Sequence, residues 1–231
     1  MSGIKLENIL FLDIETAPLH YQYTSLSPVE KDLWDKKWIY NRDLDPEQQY
    51  AKAGVYAEFA KVICIGLGYL SDGKFRTKCI AGDEEADVLA EFSNLLAGHF
   101  NTSQHFLCAH NGKEFDYPFL CRRFLINRIP LPKLLQIQGC KPWEVKHIDT
   151  MELWRFGDIK NFTSLNLLAH IFGIPSPKGD LDGSQVGKVY HEEKNLERIK
   201  AYCIKDVVTL IRIYQCLKGL RPAEEDEIVY I

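Results

Sequence analysis

Residues 9–16 read Ile9-Leu10-Phe11-Leu12-Asp13-Ile14-Glu15-Thr16, five apolar side chains and two carboxylates in one short run. A continuous apolar run of this length is the pattern of a strand buried on both faces. Side chains alternate along a strand, so Asp13 and Glu15 point to the same face. Two carboxylates crowded there repel each other and lose hydration. A cation between them relieves both penalties, and Mg²⁺ and Mn²⁺ are the hard ions that take carboxylate oxygen. Read alone, the run also fits a strand end whose acids face water, followed by a turn at Ala17-Pro18.

Downstream of Thr16 the pattern becomes irregular as far as Ala60. This stretch carries Tyr21, Tyr23, Trp34, Trp38, Tyr40, Tyr50, Tyr56 and Phe59 among many charges. Ser27 as N-cap with Pro28 behind it predicts a helix over Pro28–Trp38. Asp45 predicts a second over Pro46–Ala53. The stretch is too short to hold a core of its own, which makes it an insertion at about 17–60 in a single domain spanning 1–231. Its rings, interleaved with Lys31, Lys36, Lys37 and Arg42, are a candidate stacking surface for single-stranded nucleic acid. Packing of the rings onto the body of the domain is the stronger reading.

Beyond the insertion, Lys61–Leu70 and Lys74–Ile80 flank the turn Ser71-Asp72-Gly73 and read as a hairpin. Gly66-Leu67-Gly68 lies inside it, with no helix following, so it is weak evidence for a nucleotide loop. A helix from Asp83 as N-cap to Phe100 is expected, with Asp83, Glu84 and Glu85 at its positive end and Val88, Phe92, Leu95, Leu96 and His99 on its buried face. A strand over His105–Ala109 leads into Asn111 and a helix that starts near Asp116. Asp116 alone suits a helix-start acid favoured by the dipole. A further short strand covers Lys146–Asp149, and Thr163 is expected to cap a helix over Ser164–Phe172. Pro175–Lys188, with Lys178 and Lys188, reads as a mobile loop.

The last helix, expected over Glu192–Leu217, carries an apolar stripe of Leu196, Ile199, Cys203, Leu210, Ile213, Tyr214 and Leu217. Tyr202 and Asp206, four apart, share one face at the edge of that stripe. A carboxylate there needs a partner, which is a metal ion or a lysine or arginine elsewhere in the fold. The acidic tail Glu224-Glu225-Asp226-Glu227 reads as solvated.

Composition narrows the function. The chain has 231 residues, 46% hydrophobic and 26% charged, an ordinary globular balance. No apolar run reaches membrane-span length and no apolar signal core opens the chain, so a soluble, cytoplasmic protein is expected. Seven scattered cysteines without a CxxC pair argue against a zinc site or a disulfide framework and read as small core residues. The seven histidines show no HxxxH or HxH pairing. A formal net charge of −4 argues against a broad, salt-driven duplex binder, and leaves room for a nuclease that handles strand ends through metal ions.

Three segments together resemble a known family. Asp13-Ile14-Glu15-Thr16, Asn111-x-x-x-Phe115-Asp116 and Tyr202-x-x-x-Asp206 look like the three motifs of the DEDD 3′–5′ exonucleases, in order and in spacing, across Asn8–Leu217. The Tyr-x-x-x-Asp form, with no histidine five before Asp206, resembles the tyrosine subclass, and the Phe115-Asp116 pairing with the insertion after Thr16 is most similar to stand-alone relatives of the family B DNA polymerase proofreading domain. The resemblance implies an α/β, ribonuclease H-like mixed sheet flanked by helices. It implies that Asp13, Glu15, Asp116 and Asp206 bind two divalent ions, Mg²⁺ or Mn²⁺, which clamp the attacking and leaving oxygens. Tyr202 would orient the attacking water or take its proton. Asn111, Phe115 and Thr16 match substrate-side positions, and Asp149 is an acid at a strand end with a possible auxiliary role. The expected partner is a single-stranded nucleic acid 3′ end, DNA ahead of RNA, with a repair or replication partner left open. Two alternatives are the same chemistry on RNA ends, distinguished through the 2′-OH, and a non-catalytic ribonuclease H-like binding module.

Overall fold

The computed structural model describes residues 3–40, 45–158, 160–175 and 181–231. In chain order the elements are β1 (Ile9–Pro18), α1 (Pro28–Trp38), α2 (Pro46–Gln49), β2 (Ala60–Ser71), β3 (Lys74–Ala81), α3 (Glu85–His99), β4 (Phe106–Ala109), α4 (Asp116–Ile126), β5 (Ile148–Asp149), α5 (Thr150–Arg155), α6 (Leu165–Ile171), α7 (Val186–Lys188), α8 (Leu196–Leu217) and β6 (Ile228–Tyr230). One six-stranded sheet runs in the order β5-β4-β1-β2-β3-β6. The β1–β2 and β2–β3 pairs are antiparallel, and β1–β4, β4–β5 and β3–β6 are parallel. The sheet is therefore mixed and helix-flanked, as expected.

Strand β1 lies at its centre, and Ile9, Leu10, Phe11 and Leu12 are wholly buried. Leu10, Leu12 and Ile14 share one apolar cluster with Val88 and Phe92 of α3 and Phe119, Leu120 and Phe124 of α4. Ile9 and Phe11 share the other with Val207, Ile211 and Tyr214 of α8. Asp13 and Glu15 continue the Ile9–Phe11 side by alternation, the side that α8 covers. Helix α8 can lie against β2 because residues 66 and 68 have no side chains. A Cβ on Gly66 would stand 2.7 Å from Cys203 Sγ, and one on Gly68 2.8 Å from Ile211 Cδ1 and Val207 Cγ1. The Gly66-Leu67-Gly68 pattern is thus a helix seat, which sets the height of α8 over the acids of β1.

Several sequence expectations are corrected. The insertion does have a core. Trp34 is fully buried, with ring centroids at 4.9 Å from Phe59, 5.0 Å from Tyr50 and 5.5 Å from Tyr56, and its Nε1 donates to the Pro46 carbonyl at 2.8 Å. Aromatic side chains bury enough area each for a few of them to make a satellite core. They pack mainly on one another rather than onto the body. Ser27 caps α1, as read, and does so through a capping box with Glu30, whereas Asp45 caps only a short α2 that tightens into a 3₁₀ segment over Tyr50–Val55. Arg42 lies outside the described residues.

Asp83 does not cap α3. Glu84 holds that position without a side-chain bond, and Asp83 instead accepts from the Tyr190 hydroxyl at 2.8 Å. His99 on α3 is exposed, not buried. Ser164, not Thr163, caps α6, accepting from the Leu167 amide. Of the stretch read as a mobile loop, 176–180, including Lys178, lies outside the described residues, while Gly183–Lys188 forms helical turns, with Val186 buried in an apolar cluster. Helix α8 begins later than expected because Lys194 turns left-handed, at φ 53°, after a π turn over Val189–Glu193. The acidic tail is exposed at Glu224, Glu225 and Asp226, as expected, but also ordered by pairing: Glu224 and Glu227 pair with Arg221 and Glu225 with Arg212, and β6 then adds to the sheet edge beside β3.

Candidate functional site

Strand β4 pairs with β1 only over Ile9–Phe11, so the edge of β1 beyond Phe11 is open on that side. Helix α4 begins there, and Asp116 Oδ1 accepts the Ile14 amide at 3.3 Å. That bond sets the α4 acid beside Asp13 and Glu15. A β-bulge between Glu15 and Thr16 interrupts the β1–β2 register at the same point, a device that re-aims side chains next to functional sites. From the other side α8 contributes Tyr202 and Asp206, one turn apart, and the Tyr202 hydroxyl hydrogen-bonds the Asp206 carboxylate.

The four acids sense one another. Burial, then the charges of Asp206 and Asp116, hold the Asp13 carboxyl well above the usual carboxylate range. Glu15, only 6% exposed, is raised by burial and by Asp13, Asp206 and Asp116. Burial lifts Asp116 to about 7, with Asp149 adding to the rise, and lifts Asp206 to about 6 against the Tyr202 hydrogen bond. Burial and the neighbouring acids push the Tyr202 phenol upward, which keeps it protonated. Among the described residues, no lysine or arginine forms an ion pair with any of the four. The ligand set is therefore hard carboxylate oxygen, drawn from two strand positions and two helices, with no cation from the protein itself. It fits an oxygen-seeking divalent ion.

The remaining candidates fall around this cluster. Asn111 is left-handed, at φ 63°, in the turn before α4. Its amide and that of Lys113 donate to Asp149 at 2.9 and 3.1 Å, and Met151 N–H donates to the same carboxylate at 2.9 Å. Asp149, 3% exposed, thus braces the turn that carries Asn111 and caps α5. The Phe115 ring is half-buried, 5.4 Å from that of Phe119. Thr16 donates its hydroxyl to the Gly54 carbonyl at 2.7 Å and lines a cleft of about 880 Å³ between the insertion and α7.

Sequence reading missed Cys203. Its Sγ lies 3.6 Å from Asp13 Oδ2, and Asp13, Glu15 and Cys203 offer ligand atoms within 4.8 Å of one another. The signal was available: Cys203 precedes Asp206 by three residues on a helix, hence on the same side.

A mixed sheet of this order, flanked by helices and carrying an acid cluster on its central strand, is the architecture of polymerase-type exonuclease domains. The fold is similar to that of a family B DNA polymerase from the hyperthermophilic archaeon Pyrobaculum calidifontis, with a TM-score of 0.52 and 14% identity over 93% of this chain and 26% of that one. The chain thus spans about a quarter of that polymerase's length. Residues 55–223 match the family of predicted 3′–5′ exonucleases related to the exonuclease domain of PolB, and this chain belongs to that family. No curated protein matches it. No described helix is long and apolar enough to cross a membrane.

Proposed function

We propose that this protein is a metal-dependent 3′–5′ exonuclease that removes nucleotides from the 3′ end of single-stranded DNA. One observation carries the reading: four buried or half-buried carboxylates converge from β1, α4 and α8 with no protein cation among them. The relation to a DNA polymerase exonuclease domain favours DNA as the substrate. Water attacks the terminal phosphorus, the P–O3′ bond breaks, and a nucleoside 5′-monophosphate leaves a new 3′-hydroxyl on the shortened strand. Asp13, Glu15, Asp116 and Asp206 would hold two divalent ions, which when bound supply charge stabilisation to the attacking and leaving oxygens. Tyr202 would orient the attacking water by hydrogen bonding or take its proton. Asn111, Phe115 and Thr16 would contact the strand, and Asp149 acts by bracing the Asn111 turn. The whole domain works as one exonuclease unit, with the insertion forming one wall of the cleft beside Thr16.

The test uses 5′-labelled DNA and RNA oligonucleotides with Mn²⁺ or with EDTA. A ladder shortening stepwise from the 3′ end, dependent on Mn²⁺ and faster on DNA, is expected. Cleavage undiminished by EDTA, or release from the 5′ end alone, contradicts the reading.

A further inference from the structure

Behind the acids lies a second cluster with different chemistry. Cys64 on β2, Cys79 on β3 and Cys203 on α8 bring their Sγ atoms within 4.8 Å of one another, with Cys64 and Cys79 at 2.6 Å. They come from three elements, which is why no CxxC spacing announces them. In the β2–β3 ladder Gly66 stands opposite Cys79, and the missing side chain at 66 is the space Cys203 fills from above. Cys64 and Cys203 are buried, while Cys79 borders an opening of about 450 Å³ lined in part by Thr77, Glu197 and Lys200. An ion therefore has a way in, and so does a water to complete its coordination.

We propose that Cys64, Cys79 and Cys203 form a second metal site, one that takes a soft, thiophilic divalent cation such as Zn²⁺. Thiolate sulfur selects such ions over Mg²⁺ and Mn²⁺, which belong with carboxylate oxygen. Zinc–sulfur bonds of about 2.3 Å place the sulfurs of a tetrahedral site about 3.8 Å apart. Cys64 and Cys79, 2.6 Å apart, would separate by about 1 Å on binding to reach this spacing. Binding exchanges the S–H protons of Cys64 and Cys203, released to solvent, for metal–sulfur bonds, and Cys79, whose thiol is lowered to about 4, binds as the thiolate it already is. Water is the fourth ligand, and the nearby Lys200 ammonium offsets the excess negative charge. Cys203 is the wall shared with the acid cluster, since its sulfur also lies 3.6 Å from Asp13 Oδ2.

The test is a titration of the reduced, full-length protein with Cd²⁺, a zinc surrogate, following the thiolate-to-metal absorption band and proton release in weak buffer. Saturation at one ion per chain, with release of protons and no displacement by excess Mg²⁺, is expected. Cys79→Ser and Cys203→Ser should each weaken binding at least roughly tenfold. Cys140→Ser, at an exposed thiol outside the cluster, should leave the isotherm unchanged. Circular dichroism reports folding of each variant, and the half-buried Cys79 position carries the test if Cys203→Ser unfolds. Absence of a saturable band, or a band insensitive to Cys79→Ser, overturns the proposal. No nucleic acid enters the experiment, so its result stands apart from the exonuclease reading.

Discussion

Glu85 and Glu15 are equally buried, each 6% exposed, yet they live in opposite circumstances. Glu85 is saturated: Arg123 grips it with Nε and Nη2, and Asn127 Nδ2 and the Val62 amide each donate to it at 2.7 Å. Arg123 then spends its other arm on the Ala57 carbonyl at 2.7 Å, tying α4 to the end of the insertion. Glu15 has other acids for neighbours, Asp13, Asp116 and Asp206, and all of them raise its proton affinity. Burial alone is thus no sign of function in an acid. The sign is burial among other acids without a cation, because a structural carboxylate is neutralised by a partner such as Arg123 while a ligand waits for an ion from outside.

This contrast is sharpened first at Arg123. Arg123→Ala leaves Glu85 buried and unpaired, so denaturant unfolding should show a loss of about 3–5 kcal/mol. Any loss of nuclease activity should track the unfolded fraction. A stability change under about 1 kcal/mol would mean that water replaces the arginine and that the two regions differ less than argued. Tyr202→Phe tests the other region. It keeps the ring and should slow single-turnover cleavage by roughly 10²–10⁴ with Mn²⁺ affinity and stability unchanged. Cleavage at the wild-type rate would make Tyr202 a packing residue.

The smallest effect is expected from Asp206→Asn without metal. Burial pushes the folded carboxyl up to about 6 from its ordinary 3.8, so between these values the native state holds a proton that the unfolded chain releases. Stability from this group is therefore present at low pH and is lost as pH rises from about 4 through about 6. Asparagine removes that loss. In EDTA at alkaline pH the variant should be the more stable by up to about 3 kcal/mol, and below the ordinary carboxylate range the two should coincide. Lower stability of the variant at every pH would assign Asp206 to a structural bond instead.

Much of this was legible in the sequence because the deciding signals are local. The apolar run around Asp13 and Glu15, the Tyr202–Asp206 spacing and the Ser27 cap each depend on strand or helix geometry, which a chain displays by itself. Features made by elements that meet only in the fold were not legible. Glu85 reads as a helix-start acid until Arg123 arrives from α4. The three cysteines are 15 and 124 positions apart along the chain, and only the seat at Gly66 brings Cys203 onto the strand pair. The insertion's core was misjudged from its length, because Trp34 gathers Tyr50, Tyr56 and Phe59 from beyond a stretch of polar chain.

The central claim is that the acids that lack a protein cation are a metal site, and Mn²⁺ binding tests it most directly. Wild-type protein and Asp13→Asn are melted in EDTA and across a Mn²⁺ titration, beside calorimetry of the same mixtures. The wild type should bind Mn²⁺ saturably and melt higher as the ion fills the site, since a ligand that binds only the folded state stabilises it. Asp13→Asn should melt at least as high as wild type in EDTA and gain much less from Mn²⁺. Equal Mn²⁺ stabilisation of both proteins, or none of either, would contradict the account.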